Sequence, residues 1–282
     1  MAGSVDGVFD SSRPYREDSM TTVRDRMWLW GHEAGSHDTE WAIGRPSRIT
    51  PVEAAFYMDV PNLIMVRYHD KPEMPFDQYA IPFRRLKQVF WSVVGGAGRS
   101  SDEERRHVLE LAVRNPNIIG VFMDDFFRRP QDAGDLGVLG VKELQSLRNQ
   151  FTVAGRRLEL GVTLYTFQLD MPLAAHLALC DWVSLWTWIE PDLKDLEENM
   201  AKCEQLAPRS RKLLGLYMYD YGQRCPMPVE AMHMQSQTAL DWLRAGRIEG
   251  MIFLASCICD LELEAVEWTR DWIAKVGDEE LG

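Results

Sequence analysis

The amino-acid sequence predicts a single (β/α)8 barrel domain, because of its strand count, its alternation and its length. Eight short apolar runs, rich in β-branched and aromatic residues, are bounded by turn residues, which is the pattern of buried strands. They read MWLWGH, NLIMVRYH, QVFWSVVGG, NIIGVFMDD, LELGVTLYTF, DWVSLWTW, KLLGLYMYDYG and GMIFLASC. Helical segments separate most of them, and strands of this kind alternating with helices form parallel sheets. Eight such units in about 250 residues match a TIM barrel, with a doubly wound open sheet as the alternative.

The helical segments carry start and stop signals of their own. Residues 100–115 begin with serines followed by acids, residues 141–155 end on a glycine, and residues 191–208 begin and end at prolines. Residues 51–60, 239–248 and 263–276 follow the same pattern. Residues 1–26 are polar and lack periodicity, so we predict an N-terminal arm over 1–26 and the barrel domain over 27–282.

Charge and composition exclude several classes of partner. Acids outnumber bases 43 to 31, for a net charge of -12, and no cluster of lysine and arginine could track a phosphate backbone. We therefore expect neither nucleic acid nor an anionic membrane as a partner. The first residues carry acids and arginines instead of an apolar run, which favours a cytoplasmic location. Five cysteines without CxxC spacing are expected to be reduced thiols, and the sequence leaves the oligomeric state open.

The informative positions are the ends of the strands, because active sites of such barrels lie at the carboxyl ends of the strands. The polar and aromatic residues there are His32, Glu33, Arg67, His69, Trp91, Asp124, Asp125, Tyr165, Gln168, Trp186, Trp188, Glu190, Tyr219 and Asp220. Carboxylates beside aromatic rings suit a carbohydrate, because rings stack on the C–H faces of sugars while polar groups bind the hydroxyls. We therefore expect a small saccharide or glycoside as the ligand.

The stretch NIIGVFMDDFFRRP places two adjacent acids directly after an apolar strand. Early glycines, Gly120 in this strand and its counterparts in three others, suit a crowded barrel interior. If Gly120 faces inward, so do Phe122 and Asp124, because strand residues alternate between faces. Asp124 then points into the mouth of the barrel, and the like charge of Asp125 raises the pKa of one of the two carboxyl groups.

Hydrolysis of a glycosidic bond needs one carboxyl group that donates a proton and a second that acts as nucleophile or base. We expect Asp124 or Asp125 to be the general acid. Glu190 or Asp220 is expected to be the nucleophile or base, and the choice between them stays open. Substrate-binding roles are expected for His32, Glu33, Arg67, His69, Trp91, Tyr165, Gln168, Trp186, Trp188 and Tyr219.

The segment GVFMDDFFRRP resembles the end of strand 4 in several glycoside-hydrolase-like TIM-barrel families of bacteria, including relatives of the poly-N-acetylglucosamine hydrolases. In those families an aspartate of the pair lies in the sugar-binding cleft and is the usual candidate for the acid. The resemblance therefore implies a carbohydrate-active hydrolase with Asp124 or Asp125 as the acid. It covers about eleven residues and identifies no second carboxylate.

Two other functions fit the same residues. A metal-dependent sugar isomerase, epimerase or hydrolase would bind a divalent cation, although we expect no cofactor for the hydrolase. Its candidate ligands are His32, Glu33, His37, Asp38, His69 and Asp124. A non-catalytic sugar-binding barrel would keep the pocket without the chemistry. In structural terms, Asp124 and Asp125 could pair with Arg128 and Arg129, and Trp186 and Trp188 could be core residues.

Overall fold

The computed structural model describes residues 21–132 and 134–282 and is built around a closed barrel of eight parallel strands. The strands are β1 (Met27–Gly31), β2 (Asn62–Met65), β3 (Gln88–Val94), β4 (Ile118–Met123), β5 (Glu159–Tyr165), β6 (Trp182–Trp186), β7 (Arg211–Tyr217) and β8 (Gly250–Leu254). Each strand pairs with its sequence neighbours, and β1 closes on β8 with Trp28 opposite Ile252. The predicted (β/α)8 barrel is thereby confirmed.

Helices surround the barrel. They are α1 (Pro51–Tyr57), α2 (Asp102–Arg114), α3 (Val141–Arg148), α4 (Ala174–Leu177), α5 (Leu196–Leu206), α6 (Val229–Arg244) and α7 (Glu264–Val276). The Ser101 hydroxyl accepts from the backbone N–H of Glu104 and so caps α2. Between β2 and β3 the chain forms only a 3-10 turn, Pro82–Arg85. In the described part of the chain, no helix has the length and apolarity needed to cross a bilayer.

The predicted helix over residues 141–155 is wrong in its second half. Helix α3 ends at Arg148, and Thr152–Val153 then pairs with Arg156–Arg157 as a small hairpin. The reason is local, because a β-branched pair precedes Ala154 and Gly155, which both have positive φ and make the turn. Helix α6 begins at Val229, well before the predicted residue 239.

The boundary between an N-terminal arm and the barrel stays a prediction, because residues 1–20 lie outside the described residues. The part that is described is joined to the C-terminal segment. The backbone N–H of Val23 donates to the Glu279 carbonyl at 2.8 Å, and Thr22 forms a β-bridge with Glu280.

Aromatic rings fill the interior of the barrel. The rings of Trp30 and Phe122 meet edge to face at 5.6 Å, and Trp30 lies 5.2 Å from Trp186. A Cβ added to Gly161 would lie 2.3 Å from the Phe122 ring, and one added to Gly215 would lie 2.1 Å from the Trp186 ring. The early glycines therefore face inward, as predicted from the alternation, and leave room for these rings.

Candidate active site

A cavity of about 580 Å³ opens at the carboxyl ends of the strands, above the aromatic interior. Its aromatic walls come from several loops and from the ends of β5 and β7, and include Trp41, Tyr68, Tyr165, Phe167, Trp188, Tyr217 and Tyr221. Its acids are Glu40, Asp124, Asp125 and Asp132. The volume lies within the range of about 300–1,000 Å³ typical of small-molecule sites.

Asp124 lies at the base of this cavity, immediately after β4. Its backbone N–H donates to the Val94 carbonyl at 2.8 Å, and the Thr163 hydroxyl donates to its Oδ1 at 3.2 Å. The residue is only 6% exposed. Burial, and then the adjacent Asp125 carboxylate, raise the pKa of Asp124 well above its ordinary value. The Asp124 carboxyl group is therefore suited to hold a proton.

Asp125 is held by two fixed donors. Its backbone is left-handed, with φ of 46°, so the chain turns sharply as it leaves the strand. The Tyr165 hydroxyl donates to Oδ1 at 2.9 Å, and the Ala97 backbone N–H donates to Oδ2 at 2.8 Å. Burial raises the pKa of Tyr165 well above its ordinary value, which keeps the phenol protonated as a donor. Both oxygens of Asp125 thus have a donor suited to a carboxylate.

Two neutral histidines stand beside the acids. The Trp30 indole N–H donates to His32 Nε2 at 3.1 Å, and an indole can only donate, so the proton of a neutral His32 must lie on Nδ1. Burial lowers the pKa of His32 to about 4, and burial also lowers that of His37. His37 Nδ1 lies 2.9 Å from the Tyr221 hydroxyl. His32 Nδ1 is buried and has no hydrogen-bond partner among the described residues.

The cavity walls present flat ring faces. Tyr165 and Phe167 are stacked, with centroids 5.1 Å apart and an interplanar angle of 5°. Trp188 stands perpendicular to Tyr165 at 5.9 Å and lies 6.1 Å from Trp41. Phe167 keeps 37% of its surface exposed. Rings arranged in this way can receive the C–H faces of sugar rings.

Six of the residues predicted from the strand ends line the cavity. They are His32, Asp124, Asp125, Tyr165, Gln168 and Trp188. Gln168 also holds the loop in place, since its side-chain amide donates to the Phe127 carbonyl at 3.0 Å and accepts from the Tyr165 N–H at 2.9 Å.

The other predicted substrate-binding residues lie elsewhere. Arg67 is paired with the buried Glu104 at 3.1 Å. Trp91 packs between Phe76 and Phe83, because its side chain points to the outer layer of the barrel. Glu33 and His69 line a shallower neighbouring depression, Trp186 belongs to the barrel interior, and Tyr219 donates its hydroxyl to the Trp41 carbonyl at 2.7 Å.

Neither of the two predicted second carboxylates lines the cavity. Asp220 is buried and accepts from the Glu190 N–H at 2.8 Å, and from the backbone and side-chain N–H groups of Gln223 at 2.7 Å each. It therefore braces the loop after β7, where the chain has already turned into the hairpin Tyr219–Asp220 with Cys225–Pro226. Glu190 opens a 3-10 turn and does not line the cavity.

Long loops bring further side chains to the cavity that the strand ends do not predict. Residues between β1 and α1 contribute Glu40 and Trp41, and His37, considered only as a metal ligand, lies beside Tyr221. Tyr68 bonds to Glu40 and joins the β2 loop to the β1 loop. The unusual length of the segment between β1 and α1 is the one feature of the sequence that indicates a contribution of this loop to the cavity.

The structure does not assemble the metal ligands considered above. Within residues 21–132 and 134–282, no group of three His, Cys, Asp or Glu side chains is arranged to hold a metal ion. His69 instead lies 2.8 Å from Glu40.

No protein-family model and no curated protein matches the chain. Its fold is similar to that of solved structures. A family GH18 chitinase from Cycas revoluta in complex with allosamidin has a TM-score of 0.54 at 12% identity, covering 87% of this chain and 98% of that one. The xylanase-alpha-amylase inhibitor protein XAIP-I in complex with trehalose has a TM-score of 0.55 at 14% identity, and the match covers 89% of this chain and 98% of that one.

The catalytic domain of a hyperthermophilic chitinase from Pyrococcus furiosus has a TM-score of 0.54 at 10% identity, covering 84% of this chain and 85% of that one. At such identities the likeness shows the fold alone. The chain is thus a (β/α)8 barrel of the same architecture as several glycoside hydrolases.

Proposed function

We propose that this protein is a glycoside-hydrolase-like enzyme that acts on a small saccharide at the carboxyl end of its barrel. The observation that carries the proposal is the buried Asp124 carboxyl, whose pKa is raised and which opens onto a cavity walled by aromatic rings. Protonation of a leaving glycosidic oxygen requires a carboxyl group that holds its proton, and a raised pKa favours that form.

The two adjacent acids take different roles in this proposal. Asp124 donates its proton to the leaving oxygen. Asp125, with Tyr165 and Ala97 donating to its carboxylate, stabilises the positive charge that develops at the sugar ring or orients the attacking group. Asp125 replaces Glu190 and Asp220 in this second role, because Asp220 is engaged in the loop after β7 and Glu190 lies outside the cavity.

The walls support a saccharide as the substrate. Trp188 and the stacked pair of Tyr165 and Phe167 offer ring faces to the C–H surfaces of a sugar. The structures with a similar fold include complexes with (GlcNAc)3 and with trehalose. We propose an intracellular saccharide of a few rings, cleaved without a cofactor.

The test is a panel of nitrophenyl glycosides and chito-oligosaccharides, assayed with wild type and with Asp124→Asn. We expect turnover of at least one substrate, and a loss of about 10²–10⁴-fold in kcat in the variant with binding retained. The matched control is Asp135→Asn, the same change at an exposed aspartate of the following loop. Equal turnover by wild type and Asp124→Asn would refute the role of the acid.

Two outcomes would support the other functions. Saturable saccharide binding without turnover of any substrate would indicate a sugar-binding barrel, a possibility that the inhibitor protein among the similar structures illustrates. Activity abolished by EDTA and restored by Mg²⁺, Mn²⁺ or Zn²⁺ would indicate a metal-dependent isomerase, epimerase or hydrolase.

A further inference from the structure

The mouth of the cavity carries arginine side chains that form no ion pair within residues 21–132 and 134–282. Most described arginines are held by acids, as Arg67 is by Glu104 at 3.1 Å and Arg148 by Asp181 at 2.7 Å. In the described ranges, the arginines with neither an ion pair nor a side-chain hydrogen bond are Arg85, Arg128, Arg129, Arg209 and Arg224.

Three of these five lie at the cavity. Arg128 and Arg129 line it, and the guanidinium of Arg224 lies 5.9 Å from the ring centre of Trp41, another lining residue. The chain has a net charge of -12, so carboxylates are abundant on its surface. The charge of Arg224 also acts on the cavity acid Glu40, so Arg128 and Arg129 are the two candidates to serve a ligand.

The loop after β4 holds the two lining arginines in place. The Arg128 backbone N–H donates to the Leu136 carbonyl at 3.0 Å, and Val138 donates to Phe126 at 2.9 Å, so the loop is closed by ladder-like bonds. Asp132 lies nearby, but its Oδ2 accepts from the backbone N–H of Arg129 at 3.1 Å. Asp132 thus shapes the turn while keeping its charge at the same rim, and neither guanidinium forms an ion pair within the described residues.

Arg129 is linked to the acid pair along one wall. Its guanidinium lies 5.7 Å from the ring centre of Phe167, Phe167 stacks on Tyr165 at 5.1 Å, and the Tyr165 hydroxyl donates to Asp125 at 2.9 Å. A saccharide that lies along these rings, with its scissile bond at Asp124, brings a neighbouring substituent to the arginines.

The chemistry of that substituent follows from the charges. Guanidinium groups bind carboxylate, sulfate and phosphate oxygens through paired N–H donors. An anionic group close to Asp125 would be repelled, whereas one at the rim would meet two positive charges. We infer that the saccharide of the proposed function is acidic, with its anionic group bound by Arg128 and Arg129 and an uncharged part of the sugar over Asp124. The inference rests on the proposed function and adds the charge of its substrate.

Titration calorimetry with three tetrasaccharides tests the inference. They are neutral (GlcNAc)4, a hyaluronan tetrasaccharide that carries carboxylates, and a chondroitin sulfate tetrasaccharide that adds sulfate. The proteins are wild type, the double variant Arg128→Gln/Arg129→Gln, and Arg209→Gln, a matched change at an unpaired arginine outside the cavity. Binding is measured at about 0.02 M and at about 0.5 M NaCl. The higher concentration screens most of the interaction between exposed charges.

We expect wild type to bind at least one acidic tetrasaccharide about tenfold more tightly than the neutral one at low salt. The double variant and high salt should each abolish this preference, while Arg209→Gln keeps it. Preference for hyaluronan would identify a carboxylate as the bound group, and preference confined to the chondroitin ligand would identify sulfate.

Equal affinity of wild type for neutral and acidic ligands would overturn the inference and leave the proposed function standing. The inference would also be overturned if the double variant kept the preference for acidic over neutral ligands. If no tetrasaccharide of either charge binds, both the proposed function and the inference fail.

Discussion

Replacing Asp124 with asparagine tests whether the carboxyl at the base of the cavity favours its protonated form. Burial and the neighbouring Asp125 raise its pKa in the folded protein, whereas in the unfolded chain the group titrates near about 3.9. Below that pH the carboxyl group is protonated in both the folded and the unfolded state, so its titration does not lower the free energy of unfolding. Between the unfolded and folded pKa only the unfolded chain releases the proton, so the free energy of unfolding falls by about 1.4 kcal/mol per pH unit.

This slope is large enough to measure. The side chain is only 6% exposed, so solvent screens it little. For a chain of this size, the slope corresponds to about 2–3 °C in Tm per pH unit. Asparagine does not titrate, so the Tm of Asp124→Asn minus that of wild type should increase as the pH rises from 4. The difference should become constant above the folded pKa.

The assay is differential scanning fluorimetry of wild type, Asp124→Asn and Asp135→Asn between pH 4 and pH 9. The exposed Asp135 provides the same chemical change without burial, so its difference from wild type should stay nearly flat. If the curves of wild type and Asp124→Asn run parallel over the whole range, the pKa of Asp124 is not raised, and its assignment as an acid loses its physical basis.

Three further substitutions test the surrounding structure. Asp220→Ala removes the acceptor of three hydrogen bonds and should cost about 1–3 kcal/mol in urea unfolding, whereas an unchanged midpoint would contradict its bracing role. Gly215→Ala places a Cβ 2.1 Å from Trp186 and should also lower the free energy of unfolding by about 1–3 kcal/mol. In the control Gly140→Ala the added Cβ meets nothing closer than 3.4 Å, so the Tm of this variant should equal that of wild type. Trp188→Ala should weaken saccharide binding about tenfold in calorimetry with little change in Tm, since its ring is partly exposed; unchanged affinity would exclude stacking.

The barrel and the position of Asp124 could be predicted because both follow from alternation along buried strands. Inward glycines such as Gly120 and Gly161 fix which residues face the axis, and the rings of Phe90 and Phe122 occupy the space they leave. The same alternation carries Asp124 and Thr163 to the base of the cavity.

Alternation fails where the strand is irregular or has ended. Strand β3 has register shifts on both sides of Trp91, at Val89/Phe90 and at Ser92/Val94, so the parity of its residues could not be extrapolated. Asp220 lies beyond β7 in a hairpin whose direction is set by its own hydrogen bonds.

The part of the cavity wall that lies on the β1 and β2 loops could not be predicted from the strand ends. Trp41 and Tyr68 reach the mouth only through the course of the long β1 loop and its contact with the β2 loop. Such courses depend on contacts between segments distant in sequence, for which a single sequence carries no periodic signal.

The rings of Trp30, Phe122 and Trp186 close the barrel beneath the acids. In the described part of the chain, they leave a bowl with a solid bottom instead of a tunnel. A polymer therefore cannot be threaded along the axis, and any ligand must leave through the opening by which it entered. Chain ends, bends and short oligomers can reach the bottom of such a bowl, whereas the middle of a stiff, straight polymer passes over its rim.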